Sequence, residues 1–107
     1  MKRLHIAIST QDILATVQDY TERLGMEPCA IIEGEYALWR NEFLNVSVRH
    51  DPSCQPGSLR HLGWEDSDAT EFTTSTDVNG IVWEHFSAQQ QANEMAEIWP
   101  ANGYAPQ

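Results

Sequence analysis

Basic residues are scarce in this chain: 6 Lys and Arg stand against 16 Asp and Glu, leaving a formal charge of −10 over 107 residues. Neutralising a phosphate backbone takes clustered cations, and the few present are scattered, which excludes nucleic acid as an expected partner. The acidic balance fits a cytoplasmic protein, the expected location. Cysteine is nearly missing as well. Cys29 and Cys54 show no metal or redox spacing and are expected as reduced thiols. No apolar run approaches the roughly 20 residues that cross a bilayer, so no membrane partner is expected. The opening "MKRLHIAIST" has two basic residues but only a short apolar run, interrupted by His5, and reads as a strand rather than a signal peptide.

What is present is a hydrophobic fraction of 41% with 4 Trp, enough for a modest core in one domain, 1–107. In "RLHIAIS" (3–9), Leu4, Ile6 and Ile8 form one face and His5, Ala7 and Ser9 the other. "STQD" resembles a capping box from Ser9 to Asp12. A helix is expected from there to Leu24, stopped by Gly25, with a stripe of Ile13, Val17, Tyr20 and Leu24 that should pack on the first strand. "CAII", "EYALWR" and "FLNVSVR" read as three strands. In the last, Leu44, Val46 and Val48 oppose Asn45, Ser47 and Arg49, whereas the faces of Tyr36, Trp39 and Arg40 stay open. The first 50 residues thus read βαβββ. After the loop "DPSCQPGS", "LRHLGWED" is a strand with His61, Gly63 and Glu65 on one face and Leu62 and Trp64 on the other. "TEFTTST" and "IVWEHFS" flank the turn signal Asn79-Gly80. A helix follows at about 87–99 with Ala92, Met95, Ala96 and Trp99 on one side, and the tail "ANGYAPQ" is expected to be loose.

His5, His61 and Glu84 stand out as mid-strand residues whose types suit a divalent transition metal. Neutral imidazole nitrogens and one carboxylate leave open positions for water or substrate. Taken singly, each has an ordinary explanation: a hydrogen-bonded strand histidine, a solvated glutamate. His50 at a strand end and His85, which alternates opposite to Glu84, read as surface residues.

"LHIAIS…DY…LG", "YALW…LNVSV" with "GSLRHLGWED", and the closing "DVNGIVWEHF" together resemble the vicinal oxygen chelate superfamily. That superfamily includes glyoxalase I, bleomycin-resistance-type proteins, fosfomycin-resistance enzymes and extradiol dioxygenases. The resemblance is nearest to the branch of organoarsenical carbon–arsenic lyases and cadmium-induced proteins. It implies an α+β fold in which paired βαβββ modules form a cupped mixed sheet around a metal. The ligands come from the first strand of each module and the last strand of the second, here His5, His61 and Glu84. Asn45 stands where glyoxalase I has a fourth ligand, a Glu, which favours the three-ligand arrangement of the dioxygenases and lyases. Only residues 62–83 lie between His61 and Glu84. Module one (3–50) is therefore expected complete, and module two (58–87) is expected to lack its helix and one strand. The C-terminal helix should cover the convex face left bare, with Met95 and Trp99 meeting Trp83.

The resemblance further implies a metal-dependent enzyme, lyase or dioxygenase-like, whose metal (Fe, Mn, Ni, Co or Zn) is chelated by two adjacent oxygens of a small-molecule substrate. Asn45, Ser47 and Arg49 are expected to contact that substrate, Arg49 through an anionic group or in a pair with a carboxylate. Glu65, on the face of His61, is the weak candidate for a base. The alternatives are a non-catalytic sequestering protein of the bleomycin-resistance type and a degenerate structural domain. A homodimer is expected in each case, because a shortened sheet leaves an edge and apolar surface to cover.

Overall fold

The strand expected at 3–9 runs Lys2–Thr10 (β1) and lies in the middle of a seven-stranded mixed sheet. The computed structural model describes residues 1–106. After β1 come α1 (Ile13–Leu24), β2 (Ala30–Ile32), β3 (Tyr36–Arg40), β4 (Leu44–His50), β5 (Leu59–Asp66), β6 (Thr73–Thr76), β7 (Val82–Phe86) and α2 (Ala88–Ile98). The strand order is β2-β3-β4-β1-β5-β7-β6. β1 is parallel to β4 and antiparallel to β5, and β7 is parallel to β5 and antiparallel to β6. The α+β class read from the sequence is thus the class of the fold. Among the described residues no helix is long and apolar enough to cross a membrane, and both cysteines are free thiols.

The alternation of β1 and β4 divides the sheet into two faces. On the back, Ile13 of α1 packs with Ala37, Trp39 and Val48, and Val17, Tyr20, Leu24 and Ile8 close around them, as the helical stripe predicts. On the front, Met95 of α2 packs on Tyr36 and Leu38, flanked by Ala30, Ile32 and Trp99. β3 is therefore covered on both sides. A strand buried on both faces carries a near-continuous apolar run rather than an alternating one, which is why "YALW" could not be assigned a face. Register now assigns it: Tyr36 and Arg40 pair with Arg49 and Asn45 on the front, and Trp39 pairs with Val46 on the back.

Three expectations are corrected. The α1 N-cap is Asp12, not Ser9: its side chain accepts from the Ala15 N–H at 3.0 Å. Ser9 still belongs to β1, where its N–H bonds the Ser58 carbonyl. α2 begins with a capping box, Ser87 and Gln90, but it lies on the front face, not the convex back. The reason is polar as well as apolar. Gln91 meets the buried Asn45 amide, and Met95 covers Tyr36 and Leu38, while Trp83 points away and donates its indole N–H to Asp77 at 2.9 Å. Finally, the tail is anchored rather than loose. Tyr104 joins the Tyr36–Leu38–Met95 cluster, and its hydroxyl accepts from Arg40 at 3.4 Å.

Gly63 is the tightest point of the sheet. A Cβ there would lie 2.4 Å from the backbone oxygen of Glu84, and a backbone atom cannot swing aside as a flexible side chain would. Gly63→Ala is expected to cost about 1–3 kcal/mol, the usual penalty of overpacking, in urea denaturation monitored by tryptophan fluorescence. An unchanged midpoint would contradict the close β5–β7 approach.

Candidate metal centre

The site lies on a row of register partners that crosses five strands on the front face: Arg40, Asn45, His5, Gly63 and Glu84. His61 stands in the adjacent row, opposite Ala7. Gly63 has no side chain, so the space above it, between His5 and Glu84, is left to the groups that converge from either side. The His5 and His61 Nε2 atoms are 2.9 Å apart. Glu84 Oε1 is 2.9 Å from His61 Nε2 and 4.0 Å from His5 Nε2. One donor atom from each of the three residues falls within 4.8 Å of the other two. All three are sheltered, His5 most completely at 2% side-chain exposure, against 12% for His61 and 15% for Glu84. Phe86 closes the site edge-on to the His5 ring, with Phe72 stacked on Phe86.

Behind His5 stands a fully buried polar chain. Asn45 Nδ2 donates to Glu65 Oε1 at 2.9 Å and to Gln91 Oε1 at 2.7 Å. An ionised carboxylate only accepts, so the orientation of the Asn45 amide follows from Glu65. Its Oδ1 must then face His5 Nδ1, 2.9 Å away, and His5 carries its proton on Nδ1. The Nε2 lone pair is thereby aimed into the site. Glu65 in turn takes two hydrogen bonds from Arg40, at 2.7 and 3.0 Å, and one from Arg3 at 2.6 Å. Burial pushes the Glu65 carboxyl up, but the bonds from Arg40 and Asn45 and the charges of Arg40 and Arg3 leave it below its ordinary value. The bond to Glu65 likewise raises Arg40 above the ordinary range.

Burial and the neighbouring His61 together pull the His5 imidazole down from 6.5 to about 4. His5 is therefore neutral, as a metal ligand must be. Two ring nitrogens at 2.9 Å need a proton between them, and His5 has placed its own on Nδ1. The proton between the two rings is then the one on His61 Nε2, which also faces Glu84. The donor set fits a first-row divalent metal: two imidazoles and a carboxylate on adjacent strands, with an oriented partner behind one imidazole.

The structure brings His5, His61 and Glu84 together and treats the other candidates differently. Ser47 and Arg49 line the cavity over the site, Arg49 with its guanidinium 5.2 Å from the Trp99 ring. Asn45 has no exposed surface and lies outside the cavity lining, its amide already shared among His5, Glu65 and Gln91. Glu65 is not a free base, because its carboxylate is spent on Arg3, Arg40 and Asn45. His85 pairs with Asp66 at 2.8 Å on the back face, at 40% side-chain exposure. Three polar residues of the cavity escaped the sequence reading: Gln91 and Glu94, which α2 brings over the front face, and Arg60. Comparison with family models and with curated proteins finds no match to this chain.

Because folding lowers the His5 value, the unfolded chain takes up a proton that the folded chain refuses between pH 6.5 and 4. The stability owed to neutral His5 is complete above pH 6.5. It is lost progressively as pH falls towards 4, about 3 kcal/mol in all. Urea titrations of metal-free protein should show this slope in wild type and a shallower one in His5→Gln; parallel curves would refute the assignment.

Proposed function

We propose that the chain binds one divalent transition metal through His5 Nε2, His61 Nε2 and the Glu84 carboxylate. On this reading it is a metal-dependent enzyme of the vicinal oxygen chelate type, lyase or dioxygenase-like, acting on a small molecule that chelates the metal. The observation that carries the reading is the tautomer lock. Arg3 and Arg40 hold Glu65, Glu65 orients Asn45, and Asn45 aims the His5 lone pair at the other two donors. A histidine serving only the core would have no need of its second nitrogen turned towards a histidine and a carboxylate.

The module reading is supported by the sheet order. β1 pairs in parallel with β4, and β5 pairs in parallel with β7, so each half begins and ends on adjacent strands. In the second half the chain goes from β5 to β6 and β7 without a helix, consistent with a shortened second module.

The metal, when bound, supplies Lewis-acid stabilisation of charge that develops on a substrate oxygen. The chain does the rest. Asn45 keeps His5 oriented, Phe86 and Phe72 keep water from one side, and Ser47 and Arg49 offer polar contacts to the ligand. Homodimerisation remains part of the proposal: β6 is an edge strand with all four residues exposed, and Trp64 and Val82 are exposed on the same half of the sheet.

One observation favours the second reading, a protein that sequesters its ligand without chemistry. α2 lies over the site and leaves a cavity of about 30 Å³, only partly open to solvent, so a larger molecule requires α2 to move. Retention of all three ligands favours the enzyme, since a pure binder does not need them.

Elemental analysis of anaerobically purified protein tests the metal. About one transition metal per chain is expected in wild type, with loss in His61→Ala and Glu84→Ala. Asn45→Leu should bind metal about 10- to 100-fold more weakly, the usual cost of removing an outer partner. A wild type that fails to take up Fe(II), Mn(II), Ni(II) or Zn(II) would overturn the reading.

A further inference from the structure

Arg60 occupies a position that strand alternation does not account for. It precedes His61, so a regular β5 would send it to the back of the sheet. The pairing of β1 and β5 is not regular, however. Ala7 pairs with His61, but the next residue, Ile8, pairs with Leu59, and Arg60 is the extra residue of a β-bulge. Arg60 and His61 consequently line the same cavity.

The arginine so delivered is only partly satisfied. Its Nη1 is buried and makes no hydrogen bond among the described residues. Burial lowers its guanidinium below the ordinary value, although Tyr36, Glu84 and Glu94 pull the other way. An unpaired buried donor on a charged group is costly and is tolerated where something else completes it. The surroundings say what that partner is. Arg49 borders the same cavity, so two guanidiniums face it alongside two carboxylates, Glu84 and Glu94. These charges balance. A divalent cation held by His5, His61 and Glu84 would leave the cavity with two positive charges in excess. The cavity, about 30 Å³ and partly open to solvent, favours a small ligand.

We propose that Arg60, aimed by the bulge and assisted by Arg49, is the anion-binding residue of this cavity, and that its ligand class is a small carboxylate bearing a second oxygen donor. In such a ligand one carboxylate takes the planar donors of Arg60, and the neighbouring oxygen lies towards the three metal ligands. The proposal deepens the metal-site reading by naming the ligand class, but the Arg60 contact itself needs no metal.

The test uses oxalate as the probe. Binding is followed by calorimetry and by thermal melting of the metal-free full chain, with sodium chloride at matched ionic strength as the control. Oxalate is expected to raise the melting temperature of wild type more than chloride does. Arg60→Gln and Arg60→Met should bind oxalate at least about tenfold more weakly, the loss expected for a buried charged hydrogen bond. Without oxalate both variants should melt at or above the wild-type temperature, since each removes an unpaired buried charge. Zinc(II) uptake by both variants should match wild type, which separates this site from the metal ligands. Equal oxalate affinity in the variants would overturn the proposal, as would a wild type indifferent to oxalate. Variants that melt well below wild type would assign Arg60 to the fold instead. Failure of zinc uptake with oxalate binding intact would remove the metal reading and leave the anion site standing.

Discussion

The buried amide of Asn45 is the constraint on which the rest of this structure depends. It has no exposed surface, and its neighbours are a carboxylate, a histidine and a glutamine from three different elements. Inside a sheet an amide in this position must satisfy both ends or cost several kcal/mol. Its nitrogen is claimed by Glu65, so its oxygen is left for His5. The Glu65 carboxylate is stable there because Arg3 and Arg40 converge on it from the same side of β5, Arg3 on the neighbouring β1 and Arg40 on β3, two strands further on. Such a network is worth little as net stabilisation, since desolvation offsets much of the attraction. What it provides is direction: one tautomer, one ring orientation and one lone pair facing His61 and Glu84.

The same network explains the placement of α2. Gln91 completes the Asn45 amide, and Met95 covers the apolar end of β3. The helix that satisfies the polar chain is thereby also the roof of the candidate site, and its Glu94 faces the cavity. Folding and ligand access are coupled through one element. Burial and the nearby Glu84 push the Glu94 carboxyl up, as expected for an acid brought over a site that already holds one.

Much of this was legible in the sequence, and the failures have identifiable causes. Strict alternation in β1 and β4 gave correct faces for His5 and Asn45 because a period of two leaves no freedom on a strand with one polar side. The three metal-ligand candidates came together because they lie on strands whose order follows from parallel returns. Arg60 could not be found, because a bulge reverses alternation without a sequence mark. Glu65 is only a weak candidate base in the sequence because nothing near it in the chain marks Arg3 and Arg40 as its partners. The stripe on α2 shows that the helix is amphipathic but not which face of the sheet receives it. The Ser9 cap fails because β1 continues for one residue beyond it, and α1 starts only after Asp12, which caps it instead.

The central claim is that Asn45 holds His5 as the Nδ1–H tautomer with Nε2 free for a cation. Long-range proton–nitrogen NMR correlation of the imidazole rings tests it directly, on metal-free protein and after addition of zinc(II), which is diamagnetic. The account predicts a protonated Nδ1 and an unprotonated Nε2 on His5 before zinc, with the Nε2 resonances of His5 and His61 shifting together on binding. A His5 that carries its proton on Nε2, or that is unmoved by zinc while the ion binds elsewhere, would contradict it.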